Sequence, residues 1–199
     1  MASFNRLKTP NGSTYPKFPI GFDSWGQSGK GQFRDAMQVG RTWTETYAPF
    51  KHTDQNGIAF LSYVNQLYRE RTIFEIKYYH RQTPFGTISG SPTVNGASQT
   101  GKTINTSAIT GTLKHGDFIK FANIDIVYDI TADVSNGATA ITISPAIYEG
   151  GSPASGAAIT YTGVTFRAVI FGVFEMPAAD KAQVYSGLVI GFRECPQIV

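Results

Sequence analysis

The chain has 199 residues, 41% of them hydrophobic and only 16% charged, with a net charge of +3 and one cysteine. That much apolar material excludes a disordered chain. The lone Cys195 excludes an intramolecular disulfide and a thiolate metal cluster. With 14 Phe, 10 Tyr and many Ser and Thr at low charge, the composition fits β structure presenting broad faces to other proteins.

Lys and Arg nowhere gather into a patch, so no nucleic-acid partner is expected. The opening Met-Ala-Ser-Phe-Asn-Arg-Leu-Lys holds no long apolar run, and no signal peptide is expected. The most apolar windows, 164–176 and 184–192, carry charges or glycines and fall short of a membrane span. The expected setting is the cytoplasm, or a structure assembled there.

In chain order, residues 1–30 read as an extended arm rich in Gly, Pro, Ser and Asn. Pro16 and Pro19 forbid a helix. Phe18, Ile20, Phe22 and Trp25 make this arm apolar, so it lies either on its own domain or on a neighbouring subunit. Between Phe33 and Phe50, Met37, Val39, Trp43 and Tyr47 fall at hydrophobic positions of paired strands. Thr53 or Asp54 can then cap a helix whose Phe60, Leu61, Val64, Leu67 and Tyr68 recur at helical spacing. Gly57 weakens its first turn. Residues 72–79 alternate as a strand, with Phe74, Ile76 and Tyr78 on one side.

Residues 84–90 read as a hinge, and the Gly/Ser/Asn-rich stretch to Gly101 as a linker or long loop. Further strands are predicted over 102–105, 118–121, 124–130 and 140–144, with turns at Gly116 and at Ser135-Asn136-Gly137. A long strand over 165–175 has apolar residues on both faces, so it is central or meets a partner. Val169, Phe171 and Val173 on it join Phe18, Ile20, Phe22 and Trp25 as candidate interface residues. A final strand covers 183–194.

The expected fold class is mainly β with one short helix. An N-/C-terminal β-sheet domain with a covering helix (31–86 plus 162–199) is interrupted by an inserted small β-barrel or sandwich module (87–161).

No residue set calls for catalysis. His52, His80 and His115 lie in different elements without ligand spacing. Asp117, beside the Gly116 turn, is expected to bond local backbone. Asp125, Asp129 and Asp133 read as a solvated strand face, since a calcium loop would cluster its oxygens differently. Gly26 to Gly31 lacks the order of a phosphate-binding loop, and Cys195 has no base partner. No catalytic, metal or cofactor residue is predicted.

The order of these elements resembles a family of small tail proteins of tailed bacteriophages, the distal-tail or baseplate type. The resemblance rests on Trp43, Phe60-Leu61 with Leu67, Phe74, residues 91–101, 114–119, 131–145 and 156–160, and Phe166-Arg167. It implies a virion component, a hexameric ring at the distal end of the tail that joins the tail tube to the hub. Such a ring would dock fibre or receptor-binding proteins, without cofactor, nucleic acid or membrane. A head-to-tail connector or tail-completion protein, and a carbohydrate- or receptor-binding module of the virion, are the alternatives. If the arm staples neighbouring subunits, deleting residues 1–24 should weaken the ring and leave the monomer folded.

Overall fold

The computed structural model describes residues 3–17, 23–25, 32–34, 40–147, 151–172, 179–180, 183–185 and 187–195. They form a mainly β structure with a single α-helix. Two compact units divide the chain: Met1–Glu75 with Arg167–Pro196, and Ile76–Phe166 with Gln197–Val199.

In the first unit, the short strand β1 (Pro10–Ser13) is followed by a hairpin of β2 (Asp23–Trp25) and β3 (Gln32–Arg34). Then come β4 (Thr42–Tyr47), β5 (Phe50–Lys51), the helix α1 (Gln55–Glu70) and β6 (Phe74–Lys77), whose last residues enter the second unit. The chain returns in β12 (Thr165–Ile170) and ends with β13 (Val184–Tyr185) and β14 (Val189–Glu194). The main sheet has the order β1-β4-β14-β12-β6. Its strands alternate as their residues dictate, burying Trp43, Glu45 and Tyr47 on β4 and Ile190, Phe192 and Glu194 on β14. Trp43 and Phe192, paired in register, stack with ring centroids 5.5 Å apart.

The helix starts at Asp54, whose carboxylate accepts the Gly57 N–H at 3.1 Å. It ends with Arg71 in the left-handed region (φ 49°), where the Thr72 N–H donates back to the Leu67 carbonyl. Phe60, Leu61, Val64 and Leu67 are buried, the apolar face that the spacing predicts, while Tyr68 is only half-buried. Gly57 is required rather than tolerated. A Cβ there would sit 2.3 Å from Cδ2 of the buried Phe50 ring. Gly57→Ala gains about 1 kcal/mol of helix propensity, but overpacking of this kind typically costs about 1–3 kcal/mol. Net destabilisation is expected in urea unfolding, and a stabilised variant would mean that the Phe50 ring gives way.

The N-terminal residues are not a free arm. Ser3 bridges Glu75 of β6, the last strand of the sheet order, and the Phe4 N–H donates to the Glu75 carbonyl at 2.8 Å. The Phe4 ring is buried within 5.1 Å of Phe74 and 5.4 Å of Phe192, with Phe60 and Tyr63 of the helix also against it. Arg6 then reaches Glu45, and Lys8 bonds the Asp54 carboxylate at the helix start. β1 finally pairs with β4 at the other end of the sheet. The predicted arm over 1–30 is thus, over residues 3–17, built into the domain. The physical reason is the core position of Phe4, which alternation cannot show in a segment without periodicity.

The predicted final strand over 183–194 is two strands. Gly187, at φ +61°, turns the chain between them, so β13 pairs with β5 while β14 lies between β4 and β12.

The second unit carries β7 (Gly101–Asn105), β8 (Phe118–Phe121), β9 (Val127–Ile130), β10 (Ala140–Ile147) and β11 (Ile159–Thr160). They form one curled sheet in the order β11-β8-β9-β10-β7 around Ile119, Phe121, Tyr128, Ile130, Ile141 and Ile143. β9 begins three residues later than predicted because 124–126 form the approach to the strand, while β10 runs three residues longer.

The Gly-rich stretch is not a linker. Val94 is buried, its N–H donates to Ala157, and the Pro92 carbonyl accepts from Ile159 of β11. The Asn95 N–H meanwhile donates to Asn105 of β7. Residues 92–95 therefore join the two edges of the sheet, which removes the open edges that a small sheet would otherwise expose. The Gln99 carboxamide holds the loop, accepting the Asn105 N–H at 2.6 Å and donating to the Gly96 carbonyl at 3.0 Å.

The division at 75/76 and 166/167 differs from the predicted module 87–161. The flanks belong to the module because Tyr78 and Phe166 pack edge-on against Phe118, and the Gly163 N–H donates to the Gln82 carbonyl at 2.6 Å. The predicted hinge is likewise tied down. The Phe85 and Gly86 N–H groups both donate to Asp117.

Candidate functional site

Of the ionisable residues singled out by sequence, none come together as a reacting group. His52, His80 and His115 are exposed on separate segments. Asp117 is fully buried and accepts N–H groups from Phe85 (2.7 Å), Gly86 (3.2 Å) and Lys114 (2.7 Å), which makes it a structural knot between the turn and the 85–86 segment. Asp125 pairs with Lys120 at 3.6 Å. Asp133 bonds the Lys114 amine and the His115 N–H, which hold its carboxyl below the usual range. Among the described residues, no group of three or more His, Cys, Asp or Glu side chains is placed to hold a metal ion, and no helix is long and apolar enough to cross a membrane.

Buried charge occurs where the first unit needs pairing. Glu45 accepts from Arg6 Nε at 3.0 Å and from the Tyr47 hydroxyl at 2.7 Å. Burial, and then the Glu45 charge, pushes the Tyr47 hydroxyl far above its ordinary pKa. At the far end of β4 the Arg41 guanidinium stands 3.6 Å from the Glu194 carboxylate, which also accepts the Arg41 N–H at 3.1 Å. Each buried carboxylate thus stands beside an arginine, the half-buried Arg6 for Glu45 and the buried Arg41 for Glu194.

The candidate interface residues separate. Phe18, Ile20, Phe22 and Val173 lie outside the described residues. Trp25 lies on β2, opposite Gln32 of β3. Val169 is half-buried, and Phe171 is 49% exposed, which is unusual for so large an apolar ring.

Around these last two the structure assembles an open groove of about 470 Å³, with Tyr68 and Arg71 from the helix end, Val169 and Phe171 from β12 and the residue after it, and Arg193 and Cys195 from β14 and its end. Val169 and Arg193 are cross-strand partners, and the Arg193 guanidinium lies 5.3 Å from the centre of the Phe171 ring. Sequence reasoning missed Arg71 and Arg193. Arg71 lies just past the helical spacing that ends at Tyr68, and Arg193 is one residue of the predicted strand over 183–194. The available signal was alternation along 189–194, which turns Arg193 to the opposite face from Phe192 and Glu194.

In the second unit, Tyr128 and Tyr161 do not offer the glycan-stacking faces that flat exposed rings would supply. Tyr128 is core, and the Tyr161 hydroxyl donates to the Gly90 carbonyl at 2.7 Å. Among the described residues, the exposed large aromatic there is Phe85, with the Arg81 guanidinium 4.2 Å from its ring centre.

No protein-family model and no curated protein matches the chain.

Proposed function

We propose that the chain is a structural subunit of a bacteriophage tail, of the distal-tail or baseplate type. It forms a ring that joins the tail tube to the hub, docks fibre or receptor-binding proteins, and resides in the virion after assembly in the host cytoplasm. The observation that supports this reading most directly is where the resemblance-bearing residues lie. Trp43, Phe60, Leu61, Leu67 and Phe74 are all core residues of the first unit, and Gln99 and Asp117 hold the loops of the second. Residues that specify an assembly part should specify a shape, and these do.

A cyclic ring uses one heterologous interface that closes on itself. Among the described residues of the first unit, Leu7, Ile58, Ile73 and Val189 are exposed apolar side chains available for it. The expected result is a closed hexamer in native mass spectrometry or light scattering across a dilution series. A monomer at every concentration would overturn the ring.

A further inference from the structure

We propose that the groove between the end of α1 and the ends of β12 and β14 is a docking site for an extended acidic segment of a partner protein. A side-chain carboxylate of that segment is received by Arg71 and Arg193, and a neighbouring apolar side chain lies on Phe171.

Charge decides the class of occupant. The groove carries two guanidinium groups, and neither Arg71 nor Arg193 has a carboxylate partner among the described residues. Among the described residues that line it, the one carboxylate, Glu194, is turned inward and 1% exposed against Arg41. Burial pushes the Cys195 thiol up, so it stays neutral and adds no opposing charge. The described lining of the groove is therefore positive, although the chain as a whole carries only +3.

Geometry narrows the occupant further. A planar guanidinium recognises a carboxylate through paired N–H donors along its edge. The Arg193 guanidinium lies 5.3 Å from the centre of the Phe171 ring, so a carboxylate that meets it has an apolar ring beside it. The ring itself is half exposed and continuous with Val169, so an apolar side chain next to the carboxylate finds a surface. A volume of about 470 Å³ holds two or three side chains. The groove is open rather than blind, which suits a chain passing through better than a chain terminus. Two arginines on an apolar floor do not track a phosphodiester backbone, which calls for a longer row of cations. The inference does not rest on the tail reading, since a monomer can bind the segment and a ring can fail to.

The test titrates the full chain with the capped peptide acetyl-Asp-Phe-Glu-amide while following the arginine side-chain N–H signals by NMR. Saturable shifts at Arg71 and Arg193 are expected, with a dissociation constant of about 1 mM, as befits so small a ligand. Binding should weaken about tenfold for the neutral acetyl-Asn-Phe-Gln-amide and for Arg71→Gln/Arg193→Gln, as expected for loss of a charge pair. Phe171→Ala should weaken the peptide but leave acetate unaffected. The arginines are exposed or half-buried, so the variants should fold, and the Trp43 near-ultraviolet circular dichroism signal checks this. Non-saturable shifts, equal response to the neutral peptide, or equal binding by acetate alone would each overturn the docking site.

Discussion

Replacing Phe4 with alanine should cost the first unit about 3–5 kcal/mol, the usual loss for a buried phenylalanine. The ring is 7% exposed and touches four aromatic rings, from α1, β6 and β14, so its removal opens a cavity where the helix meets the sheet. Deleting residues 1–24 should be worse. It takes away Phe4, the Arg6 partner of buried Glu45, the Lys8 bond to the helix cap and the whole of β1. An unpaired buried carboxylate adds several kcal/mol to that loss. The expected outcome is a truncated chain without a cooperative transition at Trp43, followed by its fluorescence in urea in a Trp25→Phe background. Truncation was expected from sequence to leave the monomer folded, and the position of Phe4 reverses that. A truncated chain with an unchanged midpoint would show that the 3–17 segment only decorates the sheet.

Asp117→Ala should be the most damaging single change in the second unit. The carboxylate is buried and takes three backbone N–H groups from two segments far apart in sequence. Bonds to a charged acceptor are each worth about 1.5–3 kcal/mol, and the orphaned donors cannot reach water without opening the structure. A loss above about 3 kcal/mol is expected, together with fast amide exchange at Phe85, Gly86 and Lys114. Asp117→Asn should fall between, because its amide keeps one accepting oxygen but turns an NH₂ toward backbone donors. Slow exchange at Phe85 and Gly86 in the alanine variant would show that the 85–86 segment is held by other contacts. The close approach of Gly86 and Gly111 to the backbone of 112 and 87 is the obvious alternative.

Much of the fold follows from patterns that act over a few residues. The alternation of Trp43, Glu45 and Tyr47, the helical spacing from Phe60 to Leu67, the Asp54 cap and the turns at Gly116 and Gly137 are each legible because neighbouring side chains share a face or a dihedral requirement. So was the local bonding of Asp117, since a short acidic side chain beside a glycine turn has backbone donors within reach. Gly57 was misread for a related reason. Propensity counts its cost to the helix, but only the facing Phe50 ring shows why no other residue fits.

Composition, periodicity and turn residues by themselves determined a mainly β chain with one capped helix, interrupted by a small β module. Tertiary structure alone decided that Phe4 belongs to the core, that residues 92–95 join both edges of the second sheet, and that Arg71, Arg193 and Phe171 share a groove. Those outcomes depend on residues tens of positions apart meeting in space. A local pattern records which way a side chain points, and only the packed chain records what it meets there.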